Sequence, residues 1–382
     1  MVDKTIQELN SKEVKFIKTP KEIVWNKGNK DIKPIISLKD NGAIEMVLYC
    51  TLYRDTFMYC NDSYTGNITN LVKLIGKTYN SRSIKEVKEA LTSLQDKDLI
   101  SYTTNNKEYN IKVKIPDKDW FKLDIFAIDK ILLYPYYKEK GKVLYLYAHI
   151  ISRMNEVKYV DSNDNSEQTV NTTFITLEDL VKECGMNKRT IIKYLYLLEC
   201  DNIIYTTNIG LVGGVNSVNY FTNKYKDLSK INDLAHYYYN DVLELKNNDK
   251  YKARLIKELD ETFYDISREV EELNKIKNDT DLKQEQKILI ATRDLIADSI
   301  AKLFVLAEKR TGRTGLKDEW NNYVYDLHCG MVNKSSYVNK LKLHYGMFSW
   351  FIKEEAISEY ELLHCIRTIR GIMIKYELNY NM

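Results

Sequence analysis

The chain has 382 residues and a mass of 45.0 kDa, more than one hydrophobic core usually organises, so we expect two or three domains. Its composition, 44% hydrophobic and 29% charged, is that of a globular protein and excludes wholesale disorder. No apolar run approaches the roughly 18 residues that a membrane helix needs, and the N-terminus lacks a signal-peptide core, so we expect a cytoplasmic protein without a membrane partner.

Cysteine and histidine spacing argues against a metal site. The six cysteines lie far apart without a C-x-x-C pair, and none of the five histidines forms an H-x-H or H-E-x-x-H motif. The thirty tyrosines contain no convincing constellation of base and cation around a nucleophile. We therefore predict reduced thiols, no metal, no cofactor and no enzymatic activity.

The N-terminal segment is basic although the whole chain carries a net charge of only +3. Eight lysines fall between Lys12 and Lys39, against three acidic residues. We predict that residues 1–34 form a basic N-terminal arm that faces a polyanion. The alternative is a segment of ordinary solvated surface.

Two blocks that follow this segment are each repeated about a hundred residues later. Residues 42–54 (GAIEMVLYCTLYR) align with 141–153 (GKVLYLYAHIISR), and apolar positions recur at helical spacing in both. Residues 71–76 (LVKLIG) align with 180–185 (LVKECG), which predicts a short helix that ends before a left-handed glycine. Thr69 and Thr176 are the predicted N-caps of the two short helices.

A third block completes the repeat. Residues 83–100 align with 187–204, and Ser83 and Asn187 occupy the predicted N-cap positions of an amphipathic helix. Each copy then enters a β-rich stretch with a turn signal, Asn105-Asn106 in the first and Gly213-Gly214 in the second. The second copy has ten additional residues before its short helix, and this material (157–175) predicts an added hairpin or a flexible loop.

The order helix, helix, glycine turn, helix and hairpin is typical of a winged helix-turn-helix, whose third helix enters the major groove of DNA. The predicted fold class is mainly α with small β wings. It comprises two tandem winged helix-turn-helix modules, at 35–120 and 121–225, and a C-terminal all-helical domain at 226–382. Generic three-helix packing units without a nucleic-acid role are the alternative interpretation.

Candidate DNA-binding residues lie where the third helix of each copy begins, because base edges and phosphates meet a recognition helix there. In the first copy, Glu86 is the one acidic residue among the cations of this region. Arg82 and Arg189 are the strongest candidates for base or phosphate contacts. The first copy offers Lys77, Thr78, Asn80, Ser81, Arg82, Ser83, Lys85 and Lys88, with Lys107 on its wing; the second offers Asn187, Lys188, Arg189, Thr190, Lys193 and Tyr194.

The C-terminal part is helical by periodicity almost to its end. A helical hairpin is predicted over 250–309 and further helices over 317–378, with aromatic residues such as Trp320 and Tyr323 as core. Oligomerisation or partner docking is the expected role, with accessory DNA contact through Arg367, Arg370 and Lys375 as a further expectation.

Two consecutive modules with the paired blocks LVKLIG and LVKECG resemble the tandem winged-helix replication initiators of plasmids and phages from low-GC Gram-positive bacteria. The resemblance covers roughly residues 35–225. It implies a homo-oligomer that binds repeated origin sequences in double-stranded DNA through 77–88 and 187–194, with the wings assisting. It also implies a further domain that recruits host replication proteins. A transcriptional or conjugation regulator and a structural adaptor that does not bind DNA remain alternatives.

Overall fold

A computed structural model describes residues 15–25, 34–39, 41–59, 61–161, 166–209, 211–212, 215–216, 218–239, 248–275, 282–328 and 356–376. The protein is mainly α-helical with several small antiparallel sheets. None of the helices in these ranges combines the length and the apolar character that crossing a membrane requires.

The helices and strands follow the chain in this order. The helices are α1 Gly42–Met58, α2 Ile68–Leu74, α3 Ser81–Asp96, α4 Ile125–Leu133, α5 Lys140–Ser152, α6 Leu177–Cys184, α7 Lys188–Cys200, α8 Leu228–Tyr239, α9 Asn248–Lys275, α10 Leu282–Thr311, α11 Leu316–His328 and α12 Glu359–Lys375. The strands are β1 Phe16–Pro20, β2 Tyr64–Asn67, β3 Ile100–Asn105, β4 Glu108–Val113, β5 Trp120–Asp124, β6 Asn155–Val160, β7 Glu167–Ile175, β8 Tyr205–Thr207, β9 Leu211–Val212, β10 Val215–Asn216 and β11 Asn219–Thr222.

The chain divides into two compact units whose boundaries differ from the predicted module boundaries. The first unit contains residues 1–154 and 178–191, and the second contains 155–177 and 192–382. Residues 121–154, which we assigned to the second module, therefore belong to the first unit. The physical reason is that β5 pairs with β1 and α5 packs against α1.

In the first unit, α1 and α5 approach each other closely because the second residue of α5, Gly141, has no side chain. A Cβ atom built on Gly141 would lie 1.9 Å from the carbonyl oxygen of Ala43, a distance that no side chain tolerates. Both helices are almost entirely buried along their middle turns, from Met46 to Tyr53 and from Val143 to Ile151. The repeated glycine that aligns the two blocks therefore has a packing role at this helix contact.

The segment predicted as a basic arm contributes a strand to the first unit. Residues 16–20 form β1, which pairs antiparallel with β5, and Ile17 and Ile23 are fully buried. Burial alternates along β1, with Ile17 and Thr19 buried and Phe16 and Lys18 partly exposed, because successive side chains of a strand point to opposite faces. Residues 1–14 and 26–33 of the predicted arm lie outside the described residues.

Within the first unit, α1, β2, α2, α3, β3 and β4 follow one another in the chain. The sheet has the order β2-β4-β3, with Gly66 opposite Tyr109 and Tyr102 opposite Ile111. The β3–β4 hairpin turns at Asn106 and Lys107, which both have positive φ angles (48° and 72°). This is the backbone that a two-residue hairpin loop requires, so the hairpin predicted near Asn105-Asn106 is present.

The second unit contains a sheet with the order β6-β7-β11-β8. In chain order β7, β8 and β11 correspond to β2, β3 and β4, and β11 lies between its two partners just as β4 does. The additional strand β6 pairs with β7, so the extra material at 157–175 forms the predicted hairpin. The predicted Gly213-Gly214 turn lies outside the described residues, between the paired strands β9 and β10.

The C-terminal helices, which belong to the second unit, pack around a hydrophobic core. Trp320 of α11 is buried, donates a hydrogen bond from Nε1 to the carbonyl oxygen of Ala297 at 3.1 Å, and stacks on Phe304. Trp320 and Tyr323 are therefore core residues, as expected. The predicted helical segment between α11 and α12, with Tyr345, Phe348, Trp350 and Phe351, lies outside the described residues.

Candidate nucleic-acid interface

The N-terminus of α3 is built by the glycine turn and by an asparagine cap. Gly76 has a φ angle of 70°, which ends α2 in the left-handed region as predicted. The side chain of Asn80 then accepts a hydrogen bond from the backbone N–H of Ser83 at 2.9 Å, so Asn80 is the N-cap. Thr78 and Ser81 beside this cap are exposed.

Ser83 was predicted as the cap and as a DNA contact, and both predictions are wrong. Its side chain is 5% exposed and lies on the same stripe of α3 as the buried residues Val87, Ala90 and Leu94. A residue in the first turn at this helical phase faces the core. The cap of α2 was also misassigned, because Asn67 rather than Thr69 accepts the hydrogen bond from the backbone N–H of Asn70.

Acidic partners neutralise part of the positive charge on α3. Glu86 accepts hydrogen bonds from the ammonium group of Lys77 and from Nε of Arg82, the latter at 3.0 Å. The hydrogen bond from Lys77 is the largest cause that holds the pKa of Glu86 below its ordinary value. Lys85 lies 3.7 Å from Glu89, an acidic residue that the sequence interpretation did not weigh.

The cations nevertheless remain at the surface. The side chain of Arg82 is 89% exposed and that of Lys85 is 77% exposed, and Lys88 is exposed one turn further along α3. Exposed ion pairs contribute little stability, so a phosphate can replace Glu86 as the partner of Arg82 at small cost. Lys107 is exposed at the tip of the β3–β4 hairpin.

The N-terminus of α7 repeats this construction. Gly185 has a φ angle of 64° before the helix, and the side chain of Asn187 accepts a hydrogen bond from the backbone N–H of Thr190 at 2.8 Å. Asn187 is thus the N-cap that the sequence predicts. Arg189 is exposed and has no ion-pair partner within the described part of the chain, whereas Lys188 lies 3.4 Å from Glu178.

Further along α7 the predicted contacts separate into an accessible residue and a buried one. Lys193 is partly exposed, but Tyr194 is 3% exposed, so its assignment as a DNA contact is wrong. Tyr194 follows Ile191 by three residues and precedes Leu198 by four, and both of these are fully buried. Helical periodicity alone therefore places Tyr194 on the core stripe.

The cations of α12 are engaged in ion pairs within the second unit. Arg367 lies 3.5 Å from the fully buried Glu199, Arg370 bonds to Glu258, and Lys375 bonds to Asp201 at 2.5 Å. Each of these three cations compensates a carboxylate, and accessory DNA contact through them stays a prediction.

No group of three or more histidine, cysteine, aspartate or glutamate side chains in the described ranges is placed to hold a metal ion. The described cysteines (Cys50, Cys184, Cys200 and Cys365) are free thiols. Burial raises the pKa of Cys50 and of Cys365 to about 12, so neither thiol ionises readily near neutral pH.

Comparisons with protein-family models, with curated proteins and with solved structures gave no significant match.

Proposed function

We propose that the protein binds double-stranded DNA in a sequence-specific manner and acts as a replication initiator. The observation that carries the proposal is the shared construction of α3 and α7. Each helix follows a left-handed glycine, begins at an asparagine cap and exposes arginine and lysine in its first turns. Such a tip suits a helix whose first residues meet base edges and phosphates in the major groove.

The strand connections support the same proposal. In both copies the helices are followed by a hairpin whose second strand pairs with the strand that precedes the short helix, giving the orders β2-β4-β3 and β7-β11-β8. This strand order is the one expected of a winged helix, and it supports the proposal that the two copies are tandem modules. The hairpin tip with exposed Lys107 then serves as a wing that contacts phosphate.

The proposal includes an assembly in which several copies bind repeated origin sequences and the C-terminal helices recruit host replication proteins. The test is to select and sequence the fragments of its own replicon that the protein retains, and then to footprint them. Protection of an array of short direct repeats is the expected result. Protection of one palindrome over a promoter would instead favour a transcriptional or conjugation regulator.

Salt dependence separates DNA binding from a structural adaptor role. A protein that neutralises several phosphates loses affinity steeply between low and physiological salt, because each contact releases counterions. An adaptor that binds protein would show no such DNA affinity at any salt concentration, and that result would overturn the proposal.

A further inference from the structure

A two-stranded ribbon in the first unit presents an aromatic and cationic face that the duplex-binding proposal does not use. Strands β1 and β5 pair so that Ile17, Thr19, Phe121 and Leu123 share one face, and all four are buried. Their neighbours along each strand point to the opposite face, because successive side chains alternate. That outer face, called the ribbon face below, carries Phe16, Lys18, Trp120 and Lys122.

The two rings of the ribbon face are nearly parallel. The centroids of Phe16 and Trp120 are 6.4 Å apart and their planes differ by 10°. Each ring is also contacted by a lysine from the same strand pair: Nζ of Lys18 lies 4.8 Å from the centroid of Trp120, and Nζ of Lys122 lies 4.5 Å from that of Phe16. Rings and ammonium groups therefore alternate across the ribbon face.

The ribbon face carries a net positive charge, because its two lysines stand against one carboxylate, that of Asp124. Lys18 and Lys122 are directly opposite each other in the strand register, a pairing of like charges that disfavours the sheet. Neither has an ion-pair partner among the residues that the structure describes, in contrast to Lys77 and Lys85. The carboxylate of Asp124, on the same face, accepts a hydrogen bond from the backbone N–H of Phe126 at 2.8 Å as the cap of α4.

We propose that the ribbon face binds single-stranded nucleic acid. Unpaired bases stack on aromatic rings whatever their sequence, and lysines beside the rings compensate the phosphates that connect those bases. A base that stacks on Trp120 or Phe16 moves the ammonium group off the ring and toward the sugar-phosphate backbone.

Single strands fit the ribbon face better than other polyanions do. A duplex keeps its base faces stacked inside, so it would use the lysines but leave both rings without a partner. An acidic peptide would likewise bind through the lysines alone and leave both rings without a stacking partner. The ribbon face shares no residue with α3 or α7, so the inference is independent of duplex recognition and holds even if Arg189 makes no contact with DNA.

The first experiment measures the affinity of the full chain for a fluorescent oligothymidylate by anisotropy. Phe16→Ala combined with Trp120→Ala should weaken binding by about 10-fold or more, the loss expected when a stacked base loses its ring. The matched control is Phe126→Ala, which removes an exposed ring that also lies under a lysine, Lys130, at 4.5 Å. This control should bind like the wild type.

A second variant keeps the test decisive if the aromatic variant fails to fold. Lys18→Gln combined with Lys122→Gln removes two cations from an outer face. Relief of their mutual repulsion offsets the two lost contacts with the rings, so the unfolding midpoint should stay nearly equal. The slope of log affinity against log salt should become shallower by about 1.4, since each single-strand phosphate contact contributes about 0.7. Trp120→Phe should retain most of the affinity because the ring is kept.

Four results would overturn the proposal. The first is a wild-type chain that does not bind oligothymidylate at low salt. The second is a lysine variant with unchanged affinity and unchanged salt slope. The third is equal loss of affinity in Phe126→Ala and in the Phe16/Trp120 variant. Tighter binding to a polyglutamate peptide than to oligothymidylate would show a purely electrostatic surface and would also overturn it.

Discussion

At the scale of single residues, Gly371 of α12 lies where two helices of the second unit come unusually close. A Cβ atom on Gly371 would lie 2.4 Å from Cβ of Cys200 and 2.5 Å from the carbonyl oxygen of Tyr196. Both neighbours belong to α7 and neither is the flexible end of a long side chain. The glycine is therefore required by the contact between α12 and α7.

Gly371→Ala should consequently destabilise the protein, although alanine normally stabilises a helix interior by about 0.5–1 kcal/mol relative to glycine. Overpacking of this kind costs roughly 1–3 kcal/mol. Urea unfolding should show the loss, and Thr368→Ala on the same helix, at a partly exposed position, should change stability by less than about 0.5 kcal/mol. A more stable Gly371→Ala variant would contradict the close approach.

Asp233 of α8 titrates in an unfavourable environment. Burial first, and the nearby charge of Asp161 second, raise its pKa from 3.8 to about 6. The folded state therefore holds the proton more tightly than the unfolded state does. The stability that results is present below the unfolded pKa and is lost as the pH rises through about 6.

Asparagine does not ionise, so the Asp233→Asn variant avoids the loss of stability that accompanies ionisation of Asp233. The variant should therefore have a larger free energy of unfolding than the wild type at neutral pH. The difference should shrink as the pH falls through 6 toward 3.8. Unfolding free energies measured across that interval give the comparison, with the exposed Asp318→Asn as control for the amide substitution. A wild type and an Asp233→Asn variant with parallel pH profiles would refute the assignment.

The candidate site shows what residue types alone predict and what they miss. Arg82, Arg189 and Asn187 were identified from their positions after a glycine turn, and they lie at exposed helix starts. Ser83 and Tyr194 were misassigned because polar character or proximity was weighed above helical phase. Both residues lie on the apolar stripe of their helix, and the periodicity of that stripe is visible in the sequence.

At the scale of elements, local signals predicted most of the helices and hairpins. Glycines at 76 and 185 end their helices because only a residue without a side chain adopts positive φ cheaply, and this constraint is visible in sequence. The pairing of β1 with β5 was not predicted. About a hundred residues separate these five-residue strands, and no local rule specifies which distant strand completes a ribbon.

Helix α12 is joined to α7 by a buried polar group that sequence periodicity could not reveal. Glu199 is fully buried, accepts a hydrogen bond from Nδ1 of His364 at 2.9 Å and lies 3.5 Å from Nη1 of Arg367. The ring of Tyr205 packs 5.6 Å from that of His364, which helps exclude water from the pair.

Glu199→Ala should destabilise the protein by about 3 kcal/mol or more, because it leaves the buried charge of Arg367 without compensation. Thermal and urea unfolding both measure this loss of stability. The control is Glu178→Ala, whose side chain is 73% exposed and whose ion pair with Lys188 is a surface contact. If the two variants unfold alike, the pair between α7 and α12 contributes nothing.

At the scale of the whole molecule, the net charge is only +3, but the cations fall into two groups with different surroundings. Those of α12 compensate carboxylates inside the second unit, whereas Arg82, Arg189 and the ribbon lysines stay at the surface. Composition gives only the net charge, so which cations are paired and which are exposed could not be predicted before the fold was known. The residues left exposed are the ones available to a polyanion.

Duplex binding through the first turns of α7 can be tested by a single DNA titration. Three proteins are titrated with the selected DNA site at constant salt. They are the wild type, a variant with Arg189→Ala and Lys193→Ala, and a matched control with Lys257→Ala and Arg268→Ala on α9. All four side chains are at least partly exposed, so unfolding midpoints should be nearly equal. The Arg189/Lys193 variant should lose specific binding while the α9 control keeps it. Equal affinity of the two variants for the selected site would show that these residues of α7 do not bind the duplex.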